Sequence, residues 1–95
     1  MPFIYTMTFN ILTLTGEQIR AARALSRIEQ TELARLSGLS LETIKRLERI
    51  RGPVDANART LRAIQDAFAA INVQFDGDDT GRIGVLQHAR QGDAA

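Results

Sequence analysis

The sequence predicts a mainly α domain of four to five short helices, with an N-terminal β-strand and a C-terminal β-hairpin. Three observations carry this reading. Apolar residues recur at helical spacing between Ile19 and Ile71. Capping and stop residues at Thr15, Gly38 and Ser40 divide that stretch into separate helices. The apolar period drops to two at both ends, around Phe3–Ile11 and Val73–Phe75.

The first element is an alternation of Phe3, Tyr5, Met7, Phe9 and Ile11 with smaller or polar residues, which reads as a strand over residues 1–12. The alternative is a disordered leader, with Met7 as a second start. Thr15 then caps a helix, and Gln18 three residues later completes a capping box. Ile19, Ala22 and Leu25 share its inner face, and it ends near Ser26. A second helix starts at Glu29 or Gln30, places Leu33, Ala34 and Leu36 inward, and stops at Gly38. Ser40 caps a third helix that runs through Leu47 or Glu48 with Ile44 and Leu47 inward. A fourth runs from Asn57 to Ile71 on the stripe Leu61, Ile64, Phe68 and Ile71, widened by Ala67 and Ala70. Val73, Phe75, Ile83, Val85 and Leu86 flank the polar run Asp76–Arg82 and read as a hairpin over residues 72–90. The tail from Gln91 reads as disordered.

The 95 residues suit one domain with a thin core. The absence of cysteine excludes disulfides and thiolate metal sites. No apolar run reaches membrane-spanning length and no signal peptide is visible, so a cytoplasmic protein without membrane contact is expected. The net charge of +1 hides an asymmetry. Residues 13–52 carry +3 and residues 53–95 carry −2, which suits a protein with one polyanion-facing side. His88 reads as an exposed histidine. Asp76, Asp78 and Asp79 lack the remaining ligand pattern of a calcium loop and read as a solvated hairpin tip. No nucleophile stands at readable spacing from a base. Neither a metal, a cofactor nor enzymatic activity is expected.

The densest signal lies between Gln30 and Leu47. Two short helices that cross closely need a small residue at the contact, a turn residue tolerant of positive φ, and apolar anchors one turn apart. Ala34, Gly38, Ile44 and Leu47 supply these at positions five, nine, fifteen and eighteen, counting Gln30 as one. This is the spacing of a helix-turn-helix, which defines a domain over residues 13–71.

The segment Gln30-Thr-Glu-Leu-Ala-Arg-Leu-Ser-Gly-Leu-Ser-Leu-Glu-Thr-Ile-Lys-Arg-Leu-Glu48 resembles the Cro and xenobiotic-response-element (phage-repressor-like) regulators. The resemblance covers about residues 15–71, with Gln30-Thr31-Glu32 and Leu47-Glu48 its characteristic pieces, and Arg51-Gly52-Pro53-Val54 before the fourth helix similar to a small-repressor subgroup. Glu29 departs from it, standing where a serine or threonine cap is usual, so a weaker cap is expected there. The N-terminal strand lies outside the family's core pattern.

The resemblance implies that the third helix enters the major groove of double-stranded DNA. Leu41, Glu42, Thr43, Lys45 and Arg46 would then face bases. Arg46 suits guanine O6 and N7, Glu42 a cytosine amino group, and Leu41 and Thr43 a thymine methyl. Arg27, Gln30, Ser40, Arg49 and Arg51 would meet phosphates. A competing account pairs Glu42 with Arg46 along a solvated helix, worth about 0.2–0.5 kcal/mol.

Because one such helix spans few base pairs, a homodimer on a palindrome is expected. Phe3, Tyr5, Phe9, Phe68, Val73, Phe75, Ile83 and Val85 are its expected contacts, because a lone hairpin is marginal in water. The reading is a bacterial transcriptional regulator, a repressor by preference, located at the nucleoid. The alternatives are an antitoxin that also binds a toxin protein, an activator touching RNA polymerase, and a protein-interaction module on the same fold.

Overall fold

The computed structural model describes residues 13–89. The expected N-terminal strand, with Phe3, Tyr5 and Phe9, lies outside the described residues, as does the tail from Gln91. Among the described residues, four helices and a two-stranded antiparallel sheet follow in chain order: α1 (Gly16–Ser26), α2 (Gln30–Ser37), α3 (Leu41–Glu48), α4 (Ala58–Ala69), β1 (Val73–Gly77) and β2 (Ile83–Gln87). Among the described residues no helix is long and apolar enough to cross a membrane.

Three of these four helices begin where a side chain satisfies a first-turn amide. The Thr15 hydroxyl accepts from Gln18 N at 3.0 Å, and Gln18 Oε1 accepts from Thr15 N at 3.0 Å. Ser40 Oγ accepts from Thr43 N at 3.1 Å, and Asn57 Oδ1 from Thr60 N at 2.8 Å. α2 is the exception, since Glu29 makes no side-chain cap bond. Gly38, at φ 75°, ends α2 in the left-handed region and donates its N–H to Ala34 O at 2.9 Å. Arg27 ends α1 in the same region at φ 58°, a conformation that L side chains adopt at some cost.

The core is one cluster in which Leu14, Ile19, Leu33, Ile44, Leu47, Leu61, Ile64 and Phe68 are almost fully buried. Three details differ from the sequence reading. Leu25 is 38% exposed, because the C-terminal end of α1 runs past the last residue of β2 and has no core above it. α4 stops at Ala69, since Asn72 turns the chain at φ 68°. Ile71 therefore sits half-buried in the turn, and Ala70 is exposed.

The hairpin pairs Val73 with Gln87, Phe75 with Val85 and Gly77 with Ile83. It does not stand alone. Val73 and Phe75 are buried, and the Phe75 ring meets Phe68 edge-on, centroids 5.5 Å apart at 86°. The buried Gln18 amide donates to Asp76 O and Gly84 O, both at 3.1 Å, and so fastens α1 to both strands. Phe68, Val73 and Phe75 therefore belong to the core of the single chain, and their assignment to a dimer interface is corrected. The hairpin finds its apolar cover in α1 and α4 of its own chain. Val85 is half-buried and Ile83 is 53% exposed.

The segment after α3 clips onto the start of α1. Gly16 N donates to Gly52 O at 3.2 Å and Val54 N to Leu14 O at 2.8 Å. Glu17 Oε1 accepts from Gly52 N at 2.9 Å. That bond, then Glu17's own N–H and the charges of Arg20 and Arg51, hold the Glu17 carboxyl below its usual 4.5. A carboxyl lowered by folding contributes stability that is complete above 4.5 and lost as pH falls through the folded value. The thermal midpoint should accordingly drop on acidification below that point, and Glu17→Gln should flatten the drop in melts recorded across this range.

Candidate nucleic-acid interface

α2 and α3 are joined by Gly38, Leu39 and Ser40 alone. Such a short link forces the helices to pack against each other. α3 is held from within by Ile44 and Leu47, both fully buried, and by Glu48, only 4% exposed. The spacing i, i+3, i+4 puts these three on one stripe. The opposite ridge carries Glu42, Arg46 and the following residue Arg49, all exposed. Leu41, Thr43 and Lys45 flank it, half-buried. None of the five residues expected to face bases is buried. Among the described residues neither Glu42 nor Arg46 has an ion-pair partner, so the ridge is not closed by an internal Glu42–Arg46 pair. Ser40 Oγ also donates to Thr43 Oγ1 at 2.9 Å, which fixes the first turn of α3.

The residues expected at phosphates border this surface at helix ends. Arg27 is exposed at the end of α1, Gln30 opens α2, Ser40 caps α3, and Arg49 and Arg51 follow it. Gln30 carries an unexpected constraint, because its Nε2 donates to Glu48 Oε1 at 3.1 Å. Among the described residues its second amide proton and its carbonyl make no hydrogen bond to the protein beyond this one, so they face outward unengaged.

Glu48 is the residue that sequence reasoning missed. Arg23 Nε reaches its Oε2 at 2.7 Å and Arg23 Nη2 its Oε1 at 2.9 Å, a two-bond fork between α1 and α3. Arg23 Nη1 donates to Ile28 O at 3.1 Å, and Arg20 Nη1 to Glu48 O. The Glu48 hydrogen bond raises the Arg23 pKa above its already high ordinary value, so the guanidinium stays charged. One buried carboxylate thus ties α1, the start of α2 and the end of α3 into one unit. The signal was present in the spacing. Arg23 falls on the stripe of Ile19 and Ala22, and Glu48 on that of Ile44 and Leu47. Two opposite charges on two inward stripes point to a buried pair.

Asp78 and His88, which the sequence singles out, are engaged in structure. The Asp78 carboxylate accepts from Thr80 N at 3.0 Å, Thr80 Oγ1 at 2.7 Å and Arg82 N at 3.1 Å, bonds that close the hairpin loop and lower its pKa. His88 Nε2 meets Gln74 Oε1 at 2.9 Å in an exposed position. A cleft of about 940 Å³ opens between the C-terminal ends of α1 and α4 and the end of β2. Its one hydroxyl, that of Ser26, donates to Ala22 O at 2.7 Å.

No protein-family model matches the chain, and no functionally characterised protein matches it either.

Proposed function

We propose that the chain is a sequence-specific double-stranded DNA-binding regulator of the phage-repressor-like kind, acting as a homodimer on a palindromic site. One observation carries this reading: α3 is locked through Ile44, Leu47 and Glu48 while its ridge of Glu42, Arg46 and Arg49 is exposed and free of internal ion pairs among the described residues. A rigid helix offering a forked cation, an acceptor and half-exposed apolar groups suits the edges of bases in a major groove. In this reading Arg46 reads a guanine and Glu42 a cytosine, with Leu41, Thr43 and Lys45 beside them. Arg27, Gln30, Ser40, Arg49 and Arg51 grip the flanking phosphates. Occupying a promoter then represses it.

Selection of bound fragments from a random double-stranded pool tests this directly. A recurrent palindrome is expected. Arg46→Ala should weaken binding to that site by about 1–3 kcal/mol and relax preference at one base pair per half-site. Affinity should fall with salt, with a log–log slope of about −0.9 per neutralised phosphate. If no motif emerges and the salt response is flat, the surface serves a protein partner instead.

A further inference from the structure

The cleft between the C-terminal ends of α1 and α4 and the end of β2 has no part in the DNA-binding reading above. It holds about 940 Å³. Leu25, Ile28 and Ile71, with Ala24 and Ala70, form its apolar lining. Arg27 and His88 are its titratable lining residues, and among the described residues no carboxylate accompanies them. The Arg27 guanidinium has no hydrogen-bond or ion-pair partner among the described residues. The backbone adds a second observation. Arg27 stands at φ 58°, in the left-handed region where glycine costs least. Asn72, which lines the cleft at the end of α4, stands at φ 68°. Asparagine is enriched in that region and arginine is not. The chain thus carries an uncommitted cation at a turn that glycine would make with less strain, and residues held in this way gather at ligand clamps.

We propose that this cleft binds an amphipathic monocarboxylate, with its apolar chain against Leu25, Ile28 and Ile71 and its carboxylate on the Arg27 guanidinium. Charge complementarity selects the ligand. Arginine offers a carboxylate two parallel N–H donors. Cover of the three branched side chains by an apolar chain supplies the rest. A cationic ligand would meet Arg27 and find no carboxylate. The opposing influence is the negative end of two helix dipoles, each about half a charge. There the carbonyls of Arg23, Leu25, Phe68 and Ala69 are already bonded, to Ile28 N, Gln87 Nε2, Ile71 N and Asn72 N respectively. The full charge of Arg27 outweighs what remains. The site also bears on the DNA surface, a step that rests on the DNA-binding reading above. Arg27 lies three residues before Gln30, and both meet phosphates in that reading. A carboxylate that engages Arg27 withdraws it from its phosphate, so the bound ligand loosens DNA.

The probe is octanoate, titrated into the full chain without DNA and followed by amide and methyl NMR shifts. Saturable shifts are expected at Leu25, Ile28 and Ile71. Octanol and octylammonium keep the tail and change the head, and should bind more weakly by about tenfold or more. Arg27→Gly should weaken octanoate by about tenfold or more yet raise the thermal midpoint, because glycine relieves the left-handed backbone. A residue that served the fold alone would not part stability from binding in this way. Ala24→Glu, at an exposed position, sets a carboxylate in the cleft. It should weaken octanoate similarly while keeping wild-type helical circular dichroism. Absence of saturable binding overturns the site, as do shifts confined to the exposed Ile83 and Leu86. Equal binding of octanol, or octanoate affinity unchanged in folded Arg27→Gly, overturns it too. With the selected DNA fragment present, saturating octanoate should weaken DNA binding by wild type several-fold and leave that of Arg27→Gly unaffected. Octanoate bound in the cleft without effect on DNA affinity overturns the linkage. A chain that takes octanoate but selects no DNA overturns the DNA reading and leaves the site standing.

Discussion

Replacing Gly16 by alanine is expected to destabilise the fold by about 3 kcal/mol. Helix propensity alone argues the opposite, because Gly→Ala at an unstrained helical position usually stabilises by about 0.4–1 kcal/mol. Packing decides the sign. A Cβ at Gly16 would stand 2.1 Å from Ile50 O and 2.8 Å from Leu47 O. Both are main-chain atoms, so no side-chain rotation relieves the contact. The segment after α3 must move away from α1. In doing so it gives up the bonds from Gly16 N to Gly52 O, Val54 N to Leu14 O and Gly52 N to Glu17. Urea denaturation should show a midpoint lower by on the order of 1–2 M. Gly84→Ala is the control, having ordinary φ and an unobstructed Cβ, and its midpoint should stay near that of wild type. A Gly16→Ala protein as stable as wild type would mean that the clip between α1 and the α3–α4 segment does not exist in solution.

Gly16 also shows where the sequence is readable and where it is not. Thr15 and Ser40 were legible as caps because each bonds an amide three residues away. Gly38 was legible as a stop because a left-handed residue has few alternatives. The stripe of Leu61, Ile64 and Phe68 declared that α4 buries one face. What no stripe declares is the partner. Phe68, Val73 and Phe75 are as apolar as interface residues are, and only the chain's path shows that they cover one another. Gln18 was readable as half of a capping box, yet its amide also reaches Asp76 and Gly84, 58 and 66 residues away. The constraint on Gly16 has no local signature in the sequence, since the carbonyl that excludes a side chain there belongs to Ile50. Of the candidate interface, the exposure of Glu42 and Arg46 followed from the positions of Ile44 and Leu47. The hold of Glu48 on Gln30 did not, because it joins opposite ends of the motif.

Glu48→Ala is expected to have the second large effect, a loss of about 2–4 kcal/mol. Truncating one member of a buried pair leaves the other charge without compensation, at about 3–5 kcal/mol when burial is complete. Arg23 keeps 22% of its side-chain surface exposed, so water recovers part of that cost. The double variant Arg23→Ala/Glu48→Ala should be markedly more stable than the sum of the single losses predicts, because the stranded guanidinium is gone. Additive losses would refute the coupling. Stability and positioning are then separable. Arg23→Met with Glu48→Leu fills the same space with apolar groups and should recover most of the lost stability. It cannot restore an acceptor for Gln30 Nε2, whose bond to Glu48 Oε1 is the link between the first residue of α2 and the last of α3. If Gln30 meets a phosphate only when held there, this apolar pair should melt near wild type yet bind the selected DNA site several-fold more weakly. Adding Gln30→Ala to it should then change affinity little further. If DNA affinity instead recovers together with stability, Glu48 serves the fold alone and Gln30 needs no anchor.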